Sequence, residues 1–207
     1  MTRIKICGIT NKEDAIKASL VLNVDMLGFV FHKRSKRCVE PKTVRDIANE
    51  LPPSIMRVGV FADEERERVM ELAEDSDVDT LQFHGDEAPD YCGYFKDKYK
   101  VIKAFRLKDK KDLKDINDYD VDFYLLDTYS PRLQGGTGKS FDWKILEDHE
   151  FLKPIILSGG LTSTNVYKAI KEIAPYGVDV SSGVESAPGR KDFDLMKKFV
   201  ENVRKAG

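Results

Sequence analysis

The sequence predicts a single (β/α)8 barrel spanning residues 1–207, and three observations predict it. Short apolar strands alternate with amphipathic helical stretches from one end of the chain to the other, the alternation counts to eight units, and the strands are apolar on both faces. Such strands belong to a parallel sheet covered by helices, and eight units in 207 residues match the smallest closed barrels. An open, doubly wound sheet is the alternative arrangement of the same units.

The first unit is a strand over Arg3 to Ile6, where Ile4 and Ile6 alternate with Arg3 and Lys5; it ends on Cys7 and Gly8, and Asn11 with Asp14 caps a helix behind it. Met26 to Phe31 forms the second strand, followed by a basic loop and a helix opened by Pro41, with Val44, Ile47, Ala48 and Leu51 on one face. The third strand, Met56 to Phe61, precedes a charged helix near Glu64 to Glu74 that buries Val69, Leu72 and Ala73. Thr80 to His84 is followed by a helix near Glu87 to Lys98, and Lys100 to Phe105 by a short helix near Lys110 to Ile116. Asp122 to Asp127 leads into a long glycine-rich loop and a short helix near Trp143 to Glu147. Pro154 to Gly160 precedes a helix with Val166, Ala169, Ile170 and Ile173 inward, and Val178 to Gly183 precedes a terminal helix with Phe193, Met196, Val200 and Val203 inward.

Composition narrows the function classes. A formal net charge of −2 without a sustained basic stripe argues against nucleic acid as the main partner. Lys33, Arg34, Lys36 and Arg37 cluster in one loop, a patch suited to an anionic small molecule or to solvent. Cys7, Cys38 and Cys92 are odd in number, widely spaced and free of any CxxC pair, which argues against a disulfide framework or a cysteine zinc site. The chain opens on a strand rather than a signal segment, and no apolar run approaches a membrane span. The expectation is a soluble, cytoplasmic protein, with no metal or cofactor and neither nucleic acid nor membrane as partner.

In a barrel the functional groups converge at the carboxyl ends of the strands. Those ends carry Cys7, Arg37 in the loop after the second strand, His84, Arg106 and Asp127. The seventh and eighth strands end in Ser158-Gly159-Gly160 and Ser181-Ser182-Gly183, loops whose backbone amides can approach phosphate oxygens. The substrate is therefore expected to be a phosphate ester. GGTGKS, from Gly135 to Ser140, invites a nucleotide-binding reading, but Leu133 stands where that loop needs its first glycine. The segment instead suits a lid beside Asp127.

KICGIT at Lys5 to Thr10, GFVF with Ser35 to Arg37 downstream, RVGVF at Arg57 to Phe61 and LLDT at Leu125 to Thr128 resemble the phosphoribosylanthranilate isomerase family. So do GGTGKSFDW from Gly135 to Trp143, LSGGL from Leu157 to Leu161, and VDVSSGVE followed by PGRKD, in the same order along the whole chain. The resemblance implies an Amadori rearrangement of N-(5-phosphoribosyl)anthranilate in tryptophan biosynthesis. It implies Cys7 as general base, Asp127 as general acid and Arg37 as the group holding the anthranilate carboxylate, a planar fork-to-carboxylate match. Gly159, Gly160, Ser182 and Gly183 would hold phosphate, and Asp179 would orient substrate or point into the barrel.

The chemistry explains the pair independently. An acid must protonate the ring oxygen to open the aminal, and a base must then take a proton from C2 of the sugar. Strands one and six lie three steps apart around an eight-strand ring, so the two groups face each other across the mouth. An ordinary thiol titrates near ~8.5 and an ordinary aspartate near ~3.9, the reverse of what starts the reaction. The helix beginning near Asn11 could supply a positive field at Cys7. His84, within a QFHG stretch, is assigned structure rather than catalysis, and Lys33, Arg34 and Lys36 are read as solvated.

Two other functions are consistent with the fold. A histidine-pathway isomerase performs the same rearrangement with paired aspartates, but Cys7 stands where its first aspartate would be. A non-catalytic barrel would keep the phosphate loops and lose Cys7 or Asp127, and both are present. The enzyme's partner is the small phosphoribosyl substrate, with the chain a monomer or a homodimer.

Overall fold

Eight parallel strands close on themselves in the computed structural model, which describes residues 1–127, 143–146 and 149–207. They are β1 (Arg3–Cys7), β2 (Met26–Val30), β3 (Met56–Phe61), β4 (Thr80–Phe83), β5 (Lys100–Arg106), β6 (Phe123–Asp127), β7 (Ile155–Ser158) and β8 (Gly177–Val180). Each pairs with the next in sequence order, and β8 pairs back onto β1, so the barrel leaves no edge strand unpaired. The open-sheet alternative is thereby excluded.

The pleat sorts side chains into two cores. Ile4, Ile6, Leu27, Phe29, Leu81 and Phe83 join the inward faces of the helices in one apolar cluster. Cys7, Met26, Val58, Val60, Ile102, Ala104, Leu125 and Ile156 form a second, inside the barrel. Lys5 alternates with Ile4 and Ile6 and therefore shares the interior face with Cys7, where it is completely buried.

The helical segments are α1 (Lys12–Ile16), continued by a π-helical turn over Lys17–Val21, then α2 (Pro41–Ala48), α3 (Arg66–Ser76), α4 (Pro89–Gly93), α5 (Val166–Ile173) and α6 (Phe193–Ala206). Most of the expected apolar stripes are buried, Val44, Ile47 and Ala48; Val69, Leu72 and Ala73; Val166, Ala169 and Ile170; Met196, Val200 and Val203, whereas Ile173 and Phe193, expected inward, are only partly buried.

The connections depart from expectation in four places. The helix expected over Glu87 to Lys98 is α-helical only from Pro89 to Gly93. The one expected near Lys110 to Ile116 is a pair of 3₁₀ turns, Lys110–Leu113 and Ile116–Asp118. Leu113 and Ile116 are the buried residues there, three positions apart in a charged stretch, which is the 3₁₀ period. Trp143–Leu146 is likewise 3₁₀. After β8 the chain makes a 3₁₀ turn, Ser182–Val184, and then a two-stranded ribbon, β9 (Glu185–Ala187) with β10 (Arg190–Lys191), both too short to show a period in sequence.

Thr128 and the segment expected as a lid, 135–142, lie outside the described residues. Among the described residues no helix is long and apolar enough to cross a membrane.

Candidate active site

Register decides which side chains meet at the mouth. Cys7 lies level with Gly28 on β2, Lys5 with Asp179 on β8, and Asp127 with Arg106 on β5 and Ser158 on β7. A cavity of about 440 Å³ opens at these strand ends. Cys7, Arg37, Asp127, Gly159, Gly160, Asp179, Ser182 and Gly183 all line it, and so do His84, Arg106 and Gln82. Lys33, Arg34 and Lys36 are exposed and outside it, as solvated loop charges would be.

Cys7 ends β1 because Gly8 follows it with φ +77°, a conformation L-residues rarely hold. A Cβ on Gly8 would also meet Arg37 Cδ at 2.5 Å, so this glycine lets the arginine stem cross the strand end. Gly28 has a comparable role, since a Cβ there would lie 2.7 Å from Cys7 Sγ. Burial pushes the thiol above its ordinary value, while Lys5 and Lys191 pull it back. A positive field at the thiol was expected from α1. Asn11 caps that first turn and Glu13 and Asp14 sit in it, so its positive end is met by its own acids.

Beneath Cys7 the Lys5 ammonium donates to Asp179 Oδ1 at 2.9 Å, and Ser158 Oγ donates to Asp179 Oδ2 at 3.0 Å. Of the two orientations open to Asp179, the structure shows it turned to Lys5, with its second oxygen toward the cavity floor at Ser158. Burial works against the Lys5 charge, but Asp179 and Cys7 outweigh it and hold the ammonium above its ordinary value.

Across the mouth, Asp127 Oδ2 lies 3.1 Å from His84 Nε2, and Gln82 Nε2 lies 3.1 Å from His84 Nδ1. Asp127 Oδ1 is buried without a hydrogen-bond partner among the described residues. Arg106 donates to the His84 carbonyl at 2.6 Å and so anchors the turn carrying the imidazole. His84 thus belongs to the surroundings of Asp127, a placement its sequence context did not suggest. The signal available was its position at a strand end opposite Cys7.

Arg37 donates through Nε and Nη2 to Glu185, at 2.8 and 2.6 Å. Lys191, on β10, donates to the same carboxylate at 2.7 Å. Burial pushes the Glu185 carboxyl up, yet the bonds from Arg37 and Lys191 together hold it below the usual carboxylate range. The planar fork expected to take a carboxylate is therefore already fixed along one edge by the ribbon after β8. Neither Glu185 nor Lys191 was singled out from the sequence, although both fall in the VDVSSGVE and PGRKD motifs.

On the remaining wall Gly159 and Gly160 have φ +92° and +64°. A Cβ on Gly183 would come within 2.0 Å of the Leu161 carbonyl, so the loops after β7 and β8 touch there. Asn165, at the start of α5, donates to the Gly160 carbonyl at 3.0 Å and accepts from the Thr162 amide at 2.8 Å, which ties the first loop to that helix. Among the described residues no group of three or more His, Cys, Asp and Glu side chains is arranged to hold a metal ion.

With this geometry in hand, comparison with known proteins identifies relatives. The family model described as N-(5'phosphoribosyl)anthranilate (PRA) isomerase matches residues 4–202. A protein named N-(5'-phosphoribosyl)anthranilate isomerase from Trichlorobacter lovleyi is 46% identical over 211 residues, covering 100% of both chains. The crystal structure of phosphoribosyl anthranilate isomerase from Thermotoga maritima superposes with a TM-score of 0.91 at 41% identity, covering 99% of this chain and 100% of that one. A phosphoribosyl anthranilate isomerase in complex with reduced 1-(o-carboxyphenylamino)-1-deoxyribulose 5-phosphate superposes with a TM-score of 0.86 at 37% identity, covering 99% and 100%.

Proposed function

The chain belongs to the N-(5'-phosphoribosyl)anthranilate isomerase family, an isomerase of tryptophan biosynthesis, and we propose that it works with Asp127 as general acid and Cys7 as general base. The observation that supports this reading is the placing of the two groups at the ends of β6 and β1, on one cavity, three strands apart in the ring. Asp127, protonated, gives its proton to the ring oxygen as the C1–O bond breaks, and the anilino nitrogen lone pair closes an imine. The Cys7 thiolate then takes the proton from C2, and the released electron pair forms the enolamine. Ketonisation, with a proton returned to C1 and the C2 hydroxyl proton released, yields 1-(2-carboxyphenylamino)-1-deoxyribulose 5-phosphate, the C1–N bond being kept throughout.

Substrate is held at its two anionic ends. Arg37, oriented by Glu185, presents its remaining N–H groups to the anthranilate carboxylate. Gly159, Gly160, Ser182 and Gly183 turn backbone amides toward the phosphate. Binding both ends leaves the ribose between acid and base and converts the encounter into an oriented one. Cys7, Cys38 and Cys92 are free thiols, in keeping with a reducing cytoplasm as the working compartment. The partner is the phosphoribosyl substrate, and the protein acts as a monomer or a homodimer, away from nucleic acid and membrane.

The test follows loss of phosphoribosylanthranilate fluorescence, the substrate being generated in situ. Wild-type protein is expected to turn it over, and Cys7→Ser and Asp127→Asn are each expected to lower kcat by about 10²–10⁴-fold with little change in KM. Near-normal turnover in Cys7→Ser would move the base elsewhere.

A further inference from the structure

A buried lysine is costly, because removing an ammonium from water disfavours its charge unless a partner compensates. Lys5 is one of the largest fully buried side chains, and its side chain has no exposed surface. The acid-base scheme above does not use it. Period two along β1 puts it on the same face as Cys7, one step deeper in the barrel. Its place is held from two strands, since Asp179 on β8 accepts from it at 2.9 Å and is itself anchored by Ser158 on β7 at 3.0 Å.

A buried ion pair of this kind gains little stability over well-packed apolar residues, so its presence at the floor of the site calls for another explanation. We propose that Lys5 is a positioning residue for the isomerisation, its ammonium serving as the counter-charge of the thiolate that Cys7 must become to act as base. The inference rests on the reading of Cys7 as base. Asp179 and Ser158 keep the ammonium in place and charged, so that the field at the sulfur exists before substrate arrives.

The other charged groups around the thiol fit this division. Lys191 on β10 and Arg37 in the loop after β2 also bear on Cys7, and they share the single carboxylate of Glu185 at 2.6–2.8 Å, so that cluster keeps one net positive charge on the far side of the thiol. Asp127 and His84 face it from across the mouth and are paired with each other. Asp179 opposes thiolate formation, yet the pull of Lys5 on the thiol is larger than that push. Among these cations Lys5 is the one that shares β1 and its interior face with Cys7, two residues away.

Replacing Lys5 by an apolar isostere tests the inference. In Lys5→Met the pH at which Cys7 becomes half-alkylated by iodoacetamide, followed peptide by peptide in the full-length protein, is expected to rise by about one pH unit or more. The acidic limb of kcat/KM should move with it. Because Lys5→Met leaves Asp179 buried and unpaired, the double variant Lys5→Met/Asp179→Asn carries the same test with no uncompensated charge, and a smaller shift in the same upward direction is expected, since the opposing Asp179 charge is removed with it. An alkylation midpoint equal to wild type in the folded variants overturns the proposal and reduces Lys5 to a packing role. Alkylation needs no turnover, so this result is separate from the base assignment, which Cys7→Ser kinetics decide.

Discussion

His84 holds Asp127: the imidazole Nε2 lies 3.1 Å from the carboxylate Oδ2, while Gln82 occupies the opposite ring nitrogen at 3.1 Å. In the acid role proposed for Asp127 the carboxyl needs a fixed direction toward one oxygen of the sugar, and two strands supply it, β6 bearing Asp127 and β4 leading into His84. Gln82 Oε1 is buried and without a partner among the described residues in this amide orientation. Turned over, that amide accepts from Nδ1–H and leaves Nε2 as an acceptor, the tautomer that matches a protonated Asp127. His84→Ala is therefore expected to lower kcat by about 2–10-fold, the worth of one hydrogen bond between neutral partners at ~0.5–1.5 kcal/mol, with KM little changed. Steady-state kinetics check this. Equal loss in kcat and substrate affinity would assign His84 to binding instead.

Arg37 and Glu185 should behave as one unit. Removing the guanidinium in Arg37→Ala is expected to raise KM by about 10–100-fold, from ~1.5–3 kcal/mol for a charge-assisted contact to a non-reacting carboxylate. Glu185→Gln keeps Arg37 but weakens the 2.6 and 2.8 Å bonds that aim it, so a smaller rise in the same parameter is expected. Combining the two changes should add little to the KM of Arg37→Ala alone. Additive effects would separate Glu185 from substrate binding.

The barrel was legible from the strands because burial on both faces removes ambiguity: Met26 to Val30 and Ile155 to Ser158 read as apolar runs whichever way they face. Strand ends then pointed to Cys7 and Asp127 without any contact information. Side-chain pairings were less accessible. Lys5 and Asp179 are 174 residues apart, and only closure of β8 onto β1 brings them level. Glu185 reaches Arg37 over 148 residues through a ribbon too short to have a sequence period. Lys110 to Asp118 failed for a different reason, since two buried residues three apart fit α and 3₁₀ periods equally well.

The wall proposed to hold phosphate depends on glycine at one contact above all. Gly183→Ala forces a Cβ to within 2.0 Å of the Leu161 carbonyl, a backbone atom that cannot yield without moving the loop after β7. Calorimetry with the reduced product analogue is expected to show at least about tenfold weaker binding, equivalent to ~1.4 kcal/mol. Gly159→Asp, which brings a negative charge to the same wall, should weaken it further through like-charge repulsion. Unchanged affinity in both variants would place the phosphate elsewhere.

Stability should fall on the acid side through Glu185. Its carboxyl is buried but held below the usual range by Arg37 and Lys191. A group whose folded value is depressed contributes stability above its unfolded value, near ~4.3 for an ordinary glutamate, and that contribution is lost as pH falls through the folded value. Wild-type Tm is accordingly expected to drop between roughly pH 5 and pH 3, while Glu185→Gln starts lower at neutral pH and declines less steeply over the same window. Cys7 has the opposite sign. Burial raises its folded value, so its share of stability is complete below the ordinary thiol value of ~8.5 and is lost as pH rises beyond it. Cys7→Ser should flatten that alkaline decline without altering the acid limb. Thermal melts across pH 3 to 10 measure both limbs at once, and parallel curves for Glu185→Gln and wild type would show that Arg37 and Lys191 do not hold this carboxylate in the folded protein.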